Sequence, residues 1–388
     1  MNVSQIPDAC TGCGMCETIC PSVAIQMLED THGFLYPAVD DVRCTDCGLC
    51  ARRCPVSTPP KTSTHSDVLA GYAKAEALLH ASSSGAIFPV LAAEIIRRGG
   101  IVFGAAFDQN FDVVHTTAES MPELAVLCSS KYVQSRISTA CYAQVKTELS
   151  EGRLVYFSGT PCQIAALKSY LGQECETLIT QDIACHSVPA PMVWRNYMAE
   201  LELRNGGKLK AFSFRWKAAD WERYQIHAAF DNGKEFSQPA AENPYQRGFI
   251  KGLYSRNSCF SCQFKGVDRC SDITLADFWG VRSIQPEAYS ERGTSLIMLH
   301  SEKGRKLLES CEDQLQTYPV AADNAFDFNP VILASIQKPA RYEEFWSGYR
   351  QKPFETLVAD CCEPTREERA KEQWEKSLMA RVIRRLKR

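Results

Sequence analysis

One cysteine run occurs twice near the start of the chain, as Cys10-x2-Cys13-x2-Cys16-x3-Cys20-Pro21 and Cys44-x2-Cys47-x2-Cys50-x3-Cys54-Pro55. Two-residue gaps let three thiolates on one loop grip three irons of a cubane. The fourth cysteine, beyond the longer gap, ligates the other cluster. The expected sets are Cys10, Cys13, Cys16 and Cys54 for one 4Fe-4S cluster and Cys44, Cys47, Cys50 and Cys20 for the other. Zinc sites or disulfides would explain eight cysteines, but not this order with a proline closing each run. Between the runs, Val23 to Leu28 and Phe34 to Val39 fit a short hairpin. Residues 1–57 therefore read as a small ferredoxin-like domain that transfers electrons.

The other cysteines, of 19 in 388 residues, set the compartment. Met1 to Pro7 lack the basic and apolar regions of a signal peptide, so we expect a cytoplasmic protein whose cysteines are cluster ligands or reduced thiols. No apolar stretch approaches the roughly 18 residues that span a bilayer. A net charge of −3 gives no support to nucleic-acid binding. Charge is nevertheless uneven. Asp8, Glu17, Glu29, Asp30, Asp40, Asp41 and Asp46 give the first domain an acidic electron-transfer face. Residues 359–388 form a tail in which Leu378, Met379, Val382, Ile383 and Leu386 recur at helical spacing among basic residues. This basic amphipathic helix suits either peripheral contact with an anionic membrane or packing on its own domain.

Ser57 to Ser66 is rich in proline, serine and threonine, so residues 58–66 read as a linker. Apolar strands and amphipathic helices then alternate: Val68 to Tyr72, Gly85 to Arg98 (helix), Ile101 to Phe107, Thr139 to Leu149 (helix) and Leu154 to Phe157. This pattern implies a layered α/β domain over 67–358. Beyond Lys208 shorter strands, such as Leu209 to Trp216, Tyr224 to Phe230, Ile273 to Ala276 and Leu296 to Leu299, suggest a second half packed on the first. The fold class is α/β, α+β overall.

Two loops have the form of anion sites. Ser82-Ser83-Ser84-Gly85 precedes a helix, and Ser158-Gly159-Thr160-Pro161-Cys162-Gln163 offers Thr160 as N-cap and Pro161 as first helical residue. A well-capped helix is the plainer reading of each. Cys162 would lie in a first turn, where the helix dipole lowers a thiol pKa. A small packing cysteine is the alternative. Cys259-x2-Cys262-x7-Cys270, with Cys185 at the end of strand Leu178 to Ala184, supplies a third group of soft ligands. On spacing alone, a third 4Fe-4S cluster and structural zinc stand level, since His186 adjoins Cys185.

The loop Ser82 to Ala86, Ser130-Lys131-Tyr132-Val133-Gln134-Ser135, Ser158 to Gln163, Cys185 with the later CxxC, and Ala276-Asp277-Phe278-Trp279-Gly280 together resemble the coenzyme F-420 hydrogenase/dehydrogenase beta-subunit family, over roughly residues 68–300. The resemblance implies FAD held by Ser83, Ser84 and Gly85, by Ser130, Lys131, Tyr132 and Gln134, and by Gly159, Thr160, Pro161, Cys162 and Gln163. It also favours iron-sulfur over zinc at Cys185, Cys259, Cys262 and Cys270. The chain departs from the pattern at Ala86, where many relatives have another glycine.

Together these features lead us to expect an iron-sulfur flavoprotein oxidoreductase. Electrons would pass between the ferredoxin domain and FAD, with hydride exchange to a deazaflavin or another organic substrate. Lys131 is the candidate to stabilise reduced flavin, and His186 and Asp277 are weaker candidates for proton transfer. The rival expectations are an electron-relay subunit serving a redox partner protein, and a zinc-stabilised interaction protein.

Overall fold

A computed structural model describes residues 2–6, 8–63, 67–218, 220–366, 369, 370 and 374. The N-terminal hairpin pairs β1 (Ile25–Glu29) with β2 (Leu35–Val39), antiparallel, so that Ile25 faces Val39. Each cysteine loop leads into a short helix, Met15–Ile19 or Leu49–Arg52, entered through a left-handed glycine. The linker is less free than its composition implies, because Ser63 N–H donates to Arg269 O at 2.8 Å.

The remaining strands are β3 (Asp67–Ala73), β4 (Ile101–Phe107), β5 (Val113–Ala118), β6 (Val155–Gly159), β7 (Leu178–Ile183), β8 (Leu209–Trp216), β9 (Gln225–Phe230), β10 (Glu235–Pro239), β11 (Ile273–Asp277), β12 (Ser295–Leu299) and β13 (Leu315–Pro319). Eight of them form one sheet in the order β13-β3-β12-β11-β7-β6-β4-β5. Its centre, β11-β7-β6-β4, is parallel, and its outer strands are antiparallel. Alternation along the central strands feeds two cores, as a sheet covered on both faces requires. Ile101, Phe103, Val155 and Phe157 face helices Thr139–Ser150 and Pro161–Leu171, whereas Val102 and Tyr156 face helix Ile87–Arg97.

The expectation of a second half packed on the first holds only in part. Only β8, β9 and β10 form their own sheet; β11, β12 and β13 return to the large one. Every residue of β12 is buried. A short apolar run of this kind announces a strand, but its periodicity cannot say which sheet receives it.

The ferredoxin domain is docked on the helical face. Met15 enters the core around Tyr142, whose hydroxyl donates to Cys13 O at 2.9 Å. Arg195 pairs with Glu29 at 2.8 Å and with Asp112 at 2.8 Å. Among the described residues no helix is long and apolar enough to cross a membrane. The basic helix expected from Lys376 to Arg388 lies outside the described residues.

Candidate functional site

Strands β6, β7 and β11 run parallel, so their carboxyl ends meet at one edge of the sheet, where open α/β sheets bind their ligands. Ser158 to Cys162 follow β6, Cys185 follows β7, and Asp277 closes β11. A cavity of about 450 Å³ opens there, within the range of cofactor sites.

Of the residues expected to hold FAD, Ser83, Ser84, Ser130, Lys131, Tyr132, Gly159, Thr160 and Gln163 line this cavity. The loops hold one another. Ser83 Oγ accepts from Ser130 N–H at 2.8 Å and from Ser130 Oγ at 3.0 Å. Thr160 N–H donates to Gln163 Oε1 at 2.9 Å, as the expected helix start requires.

Four of the expected FAD contacts are elsewhere. Gly85 packs against the sheet: a Cβ there would stand 2.4 Å from Gly71 O, and its N–H donates to Ser295 Oγ. Gln134 Nε2 donates to Thr11 O of the ferredoxin domain at 2.9 Å. Pro161 and Cys162 line a neighbouring cavity.

The three candidate catalytic residues each have a structural partner. Lys131 Nζ donates to the carbonyls of Leu127, Cys128 and Ser129 at 3.2, 2.8 and 3.2 Å, closing the end of helix Met121–Leu127. Burial brings its pKa down to about 8. Asp277 accepts two hydrogen bonds from Arg215, at 2.8 and 3.1 Å. His186 Nε2 lies 3.1 Å from Ile250 O, and burial brings its pKa down to about 4.

Several residues in or behind the wall escaped the sequence reading. Arg215, 4% exposed, lies over the Tyr224 ring at 4.1 Å. Lys217 donates to Leu79 O and Ser84 O at 2.8 Å each and also to Arg292 O, so it holds the serine loop. His115 sits between Ser158 O at 3.0 Å and Ser135 Oγ at 3.1 Å, which assigns its proton to Nε2. Gln163 Nε2 donates to the same Ser135 Oγ at 2.8 Å, so three loops share one network. The signal for the two basic residues was their place, Arg215 at the end of β8 and Lys217 just beyond it, beside the apolar Phe212, Phe214 and Trp216.

The cysteines fall into three groups. Cys10, Cys13, Cys16 and Cys54 line one cavity, the crossed set expected from the repeat. Burial first, then Cys10 and Cys54, push the Cys13 thiol up to about 12. Cys20 and Cys44, from the other expected set, lie close to Ser22 and Asn2, and Cys47 is exposed.

At the third site the cavity wall differs from the grouping suggested by spacing. Cys162, Cys185, Cys259 and Cys262 line one cavity. Cys270 is not in its wall; Asp182, Lys168 and Arg269 are its charged neighbours. Cys162 reaches the site because helix Pro161–Leu171 begins beside β7. The dipole does not leave its thiol acidic: burial, reinforced by Cys262 and Cys185, raises its pKa instead.

This donor set fits an iron-sulfur cluster. Four buried thiols would be deprotonated only on binding a cationic core.

The family described as the C terminus of the coenzyme F420 hydrogenase/dehydrogenase beta subunit matches residues 152–323, and the 4Fe-4S dicluster domain matches residues 9–58. The first match begins after the Ser82 and Ser130 loops and includes Cys162, Cys185, Cys259, Cys262 and Cys270. Among solved structures, a chain of the F420-reducing NiFe hydrogenase complex from Methanosarcina barkeri is similar at 14% identity with a TM-score of 0.44, over 69% of this chain and 90% of that one. No curated protein matches the sequence. The chain is an iron-sulfur electron-transfer protein with a two-cluster 4Fe-4S domain at its N-terminus, followed by a region, residues 152–323, that matches the C-terminal family of the coenzyme F420 hydrogenase/dehydrogenase beta subunit.

Proposed function

We propose that this protein is an iron-sulfur flavoprotein oxidoreductase that connects its ferredoxin clusters to FAD and exchanges hydride with a deazaflavin or another organic substrate. One observation carries the reading: three cavities stand in a row and share walls. The Cys10/Cys13/Cys16/Cys54 cavity shares Thr11 and Cys13 with the Cys162/Cys185/Cys259/Cys262 cavity. The latter shares Thr160, Gln163 and the segment from Cys185 to Val188 with the 450 Å³ cavity. When bound, the clusters supply one-electron steps and the flavin supplies two-electron exchange with an organic molecule.

The protein's own residues set the conditions. Ser83, Ser130, Ser158 and backbone groups offer hydrogen bonds to a flavin's polar edge, and Phe88, Tyr132 and Leu275 offer apolar wall. His186 stands in the wall shared by the last two cavities. Asp277, held by Arg215, fixes the far wall rather than moving a proton.

Anaerobically purified protein should contain about twelve irons, as three four-iron clusters require, and about one FAD. About eight irons with zinc and no flavin would overturn the reading. The family's description as a beta subunit favours a second reading, a relay whose substrate chemistry lies on another chain. Supplied with reduced deazaflavin and an oxidised viologen, the fully loaded protein alone should turn over if it is the enzyme, and should not if it is the relay.

A further inference from the structure

Arg256 is 0% exposed and lies where the ferredoxin domain meets the third cysteine site. Its side chain reaches the ferredoxin: Nε donates to Cys10 O at 2.7 Å, and Nη2 to Leu35 O at 2.9 Å. Nη1 donates to Gln134 Oε1 at 3.2 Å, while Gln134 Nε2 donates to Thr11 O. The guanidinium lies over the Tyr36 ring at 4.1 Å. Its backbone belongs to the other site. Arg256 N–H donates to Val188 O, three residues beyond Cys185, and Arg256 O accepts from Cys259 N–H at 2.9 Å. Gly12 leaves the room required: with φ +70, a Cβ there would come within 2.8 Å of both Arg256 Nη1 and Gln134 Nε2.

All its hydrogen-bond partners are neutral oxygens, and among the described residues no carboxylate pairs with it. A fully buried cation without a counter-charge is expensive. Thiolate-ligated clusters are anionic, and the cysteines on either side of Arg256 belong to two such sites. Buried charge beside a cluster is one of the terms that set its potential.

We infer that Arg256 is the shared counter-charge and spacer of two cluster sites, fixing their separation and holding both at a higher reduction potential than they would have without it. The inference rests on the reading that Cys162, Cys185, Cys259 and Cys262 hold a cluster. It predicts that Arg256 acts on these two sites and leaves the Cys20/Cys44/Cys47/Cys50 site alone.

The test is a redox titration of the anaerobic holoprotein followed by electron paramagnetic resonance, with iron content measured on each sample. Arg256→Met should shift two of three cluster signals to lower potential and leave the third unchanged. Arg256→Lys, which keeps the charge but loses the fork, should hold the potentials near those of the unaltered protein. Gln134→Leu should keep the potentials but weaken the magnetic interaction between the two clusters. Twelve irons with potentials unmoved in Arg256→Met would overturn the inference alone. If Arg256→Met fails to retain iron, a downward shift of the same size at all three clusters in Arg256→Lys would overturn it. Eight irons in the unaltered protein would overturn the cluster reading and this inference with it.

Discussion

The N-terminal domain and the sheet-edge site both gather cysteines, but they gather them differently. In the first, a repeated local pattern delivers three ligands from one loop, and only the fourth crosses over. At the sheet edge, Cys162 comes from a helix start, Cys185 from a strand end, and Cys259 and Cys262 from a short helical turn before β11. The first arrangement follows from sequence spacing. The second exists only because parallel strands end side by side, so it depends on the whole domain being folded.

That difference is broken most directly at the cysteines. Cys162→Ala should remove about four of about twelve irons, as the loss of one cluster requires, while Cys270→Ala should keep them all. Iron and sulfide content decides it. The reverse result would restore the grouping suggested by spacing and refute the one suggested by the cavity.

The two cases also show how much could be read in advance. The hairpin, the gathering of Cys54 with Cys10, Cys13 and Cys16 around one cavity, the strands from Ile101 to Phe107 and from Leu209 to Trp216, and the Thr160-Pro161 helix start were all legible. Apart from the crossing of Cys54, each depends on interactions within a few residues. Cys270 was grouped with Cys259 and Cys262 by spacing, yet it packs near Lys168 and Asp182. Gln134 and Pro161 were read as flavin contacts because they belong to motifs that do line the cavity, but neighbours in a loop point to different sides. The Arg215–Asp277 pair had no local signature, since its members lie on β8 and β11 of different sheets.

This pair sharpens the comparison in energy. Arg215 has 2% of its side chain exposed, so Asp277→Asn leaves a buried guanidinium without its counter-charge. The expected loss is about 3 kcal/mol or more, read as a lower denaturant midpoint. A substitution in the exposed Arg43–Asp40 pair of the ferredoxin domain should cost less than about 1 kcal/mol. Equal losses would mean that the sheet-edge site is no more dependent on tertiary contacts than the local one.

His115 tests the same dependence through pH. Burial brings its pKa to about 4 from an ordinary 6.5. Between those values the unfolded chain takes up a proton that the folded chain refuses. The stabilising effect is therefore complete above pH 6.5 and is lost as pH falls, by about 1 kcal/mol at pH 5.5 and roughly 3 kcal/mol at pH 4. His115→Gln should reduce the slope of stability against pH between 7 and 5.5 by up to one proton. An unchanged slope would mean that the His115 ring is hydrated in solution.

The smallest expected effect lies where local sequence and tertiary demand disagree. Ala86 has φ +61, a left-handed conformation that its Cβ disfavours, at the start of helix Ile87–Arg97. The chain is forced into it because the preceding Gly85 is pressed against Gly71 O and Ser295, while Ala86 itself must turn into a buried helix. Glycine adopts such a conformation freely. Ala86→Gly should therefore stabilise the folded chain, but by no more than about 1 kcal/mol, because glycine also gains freedom when unfolded. A small rise in denaturant midpoint would show that this loop pays a backbone cost to form the cavity wall. A fall would show that the buried Ala86 methyl contributes more by packing than the left-handed turn takes away.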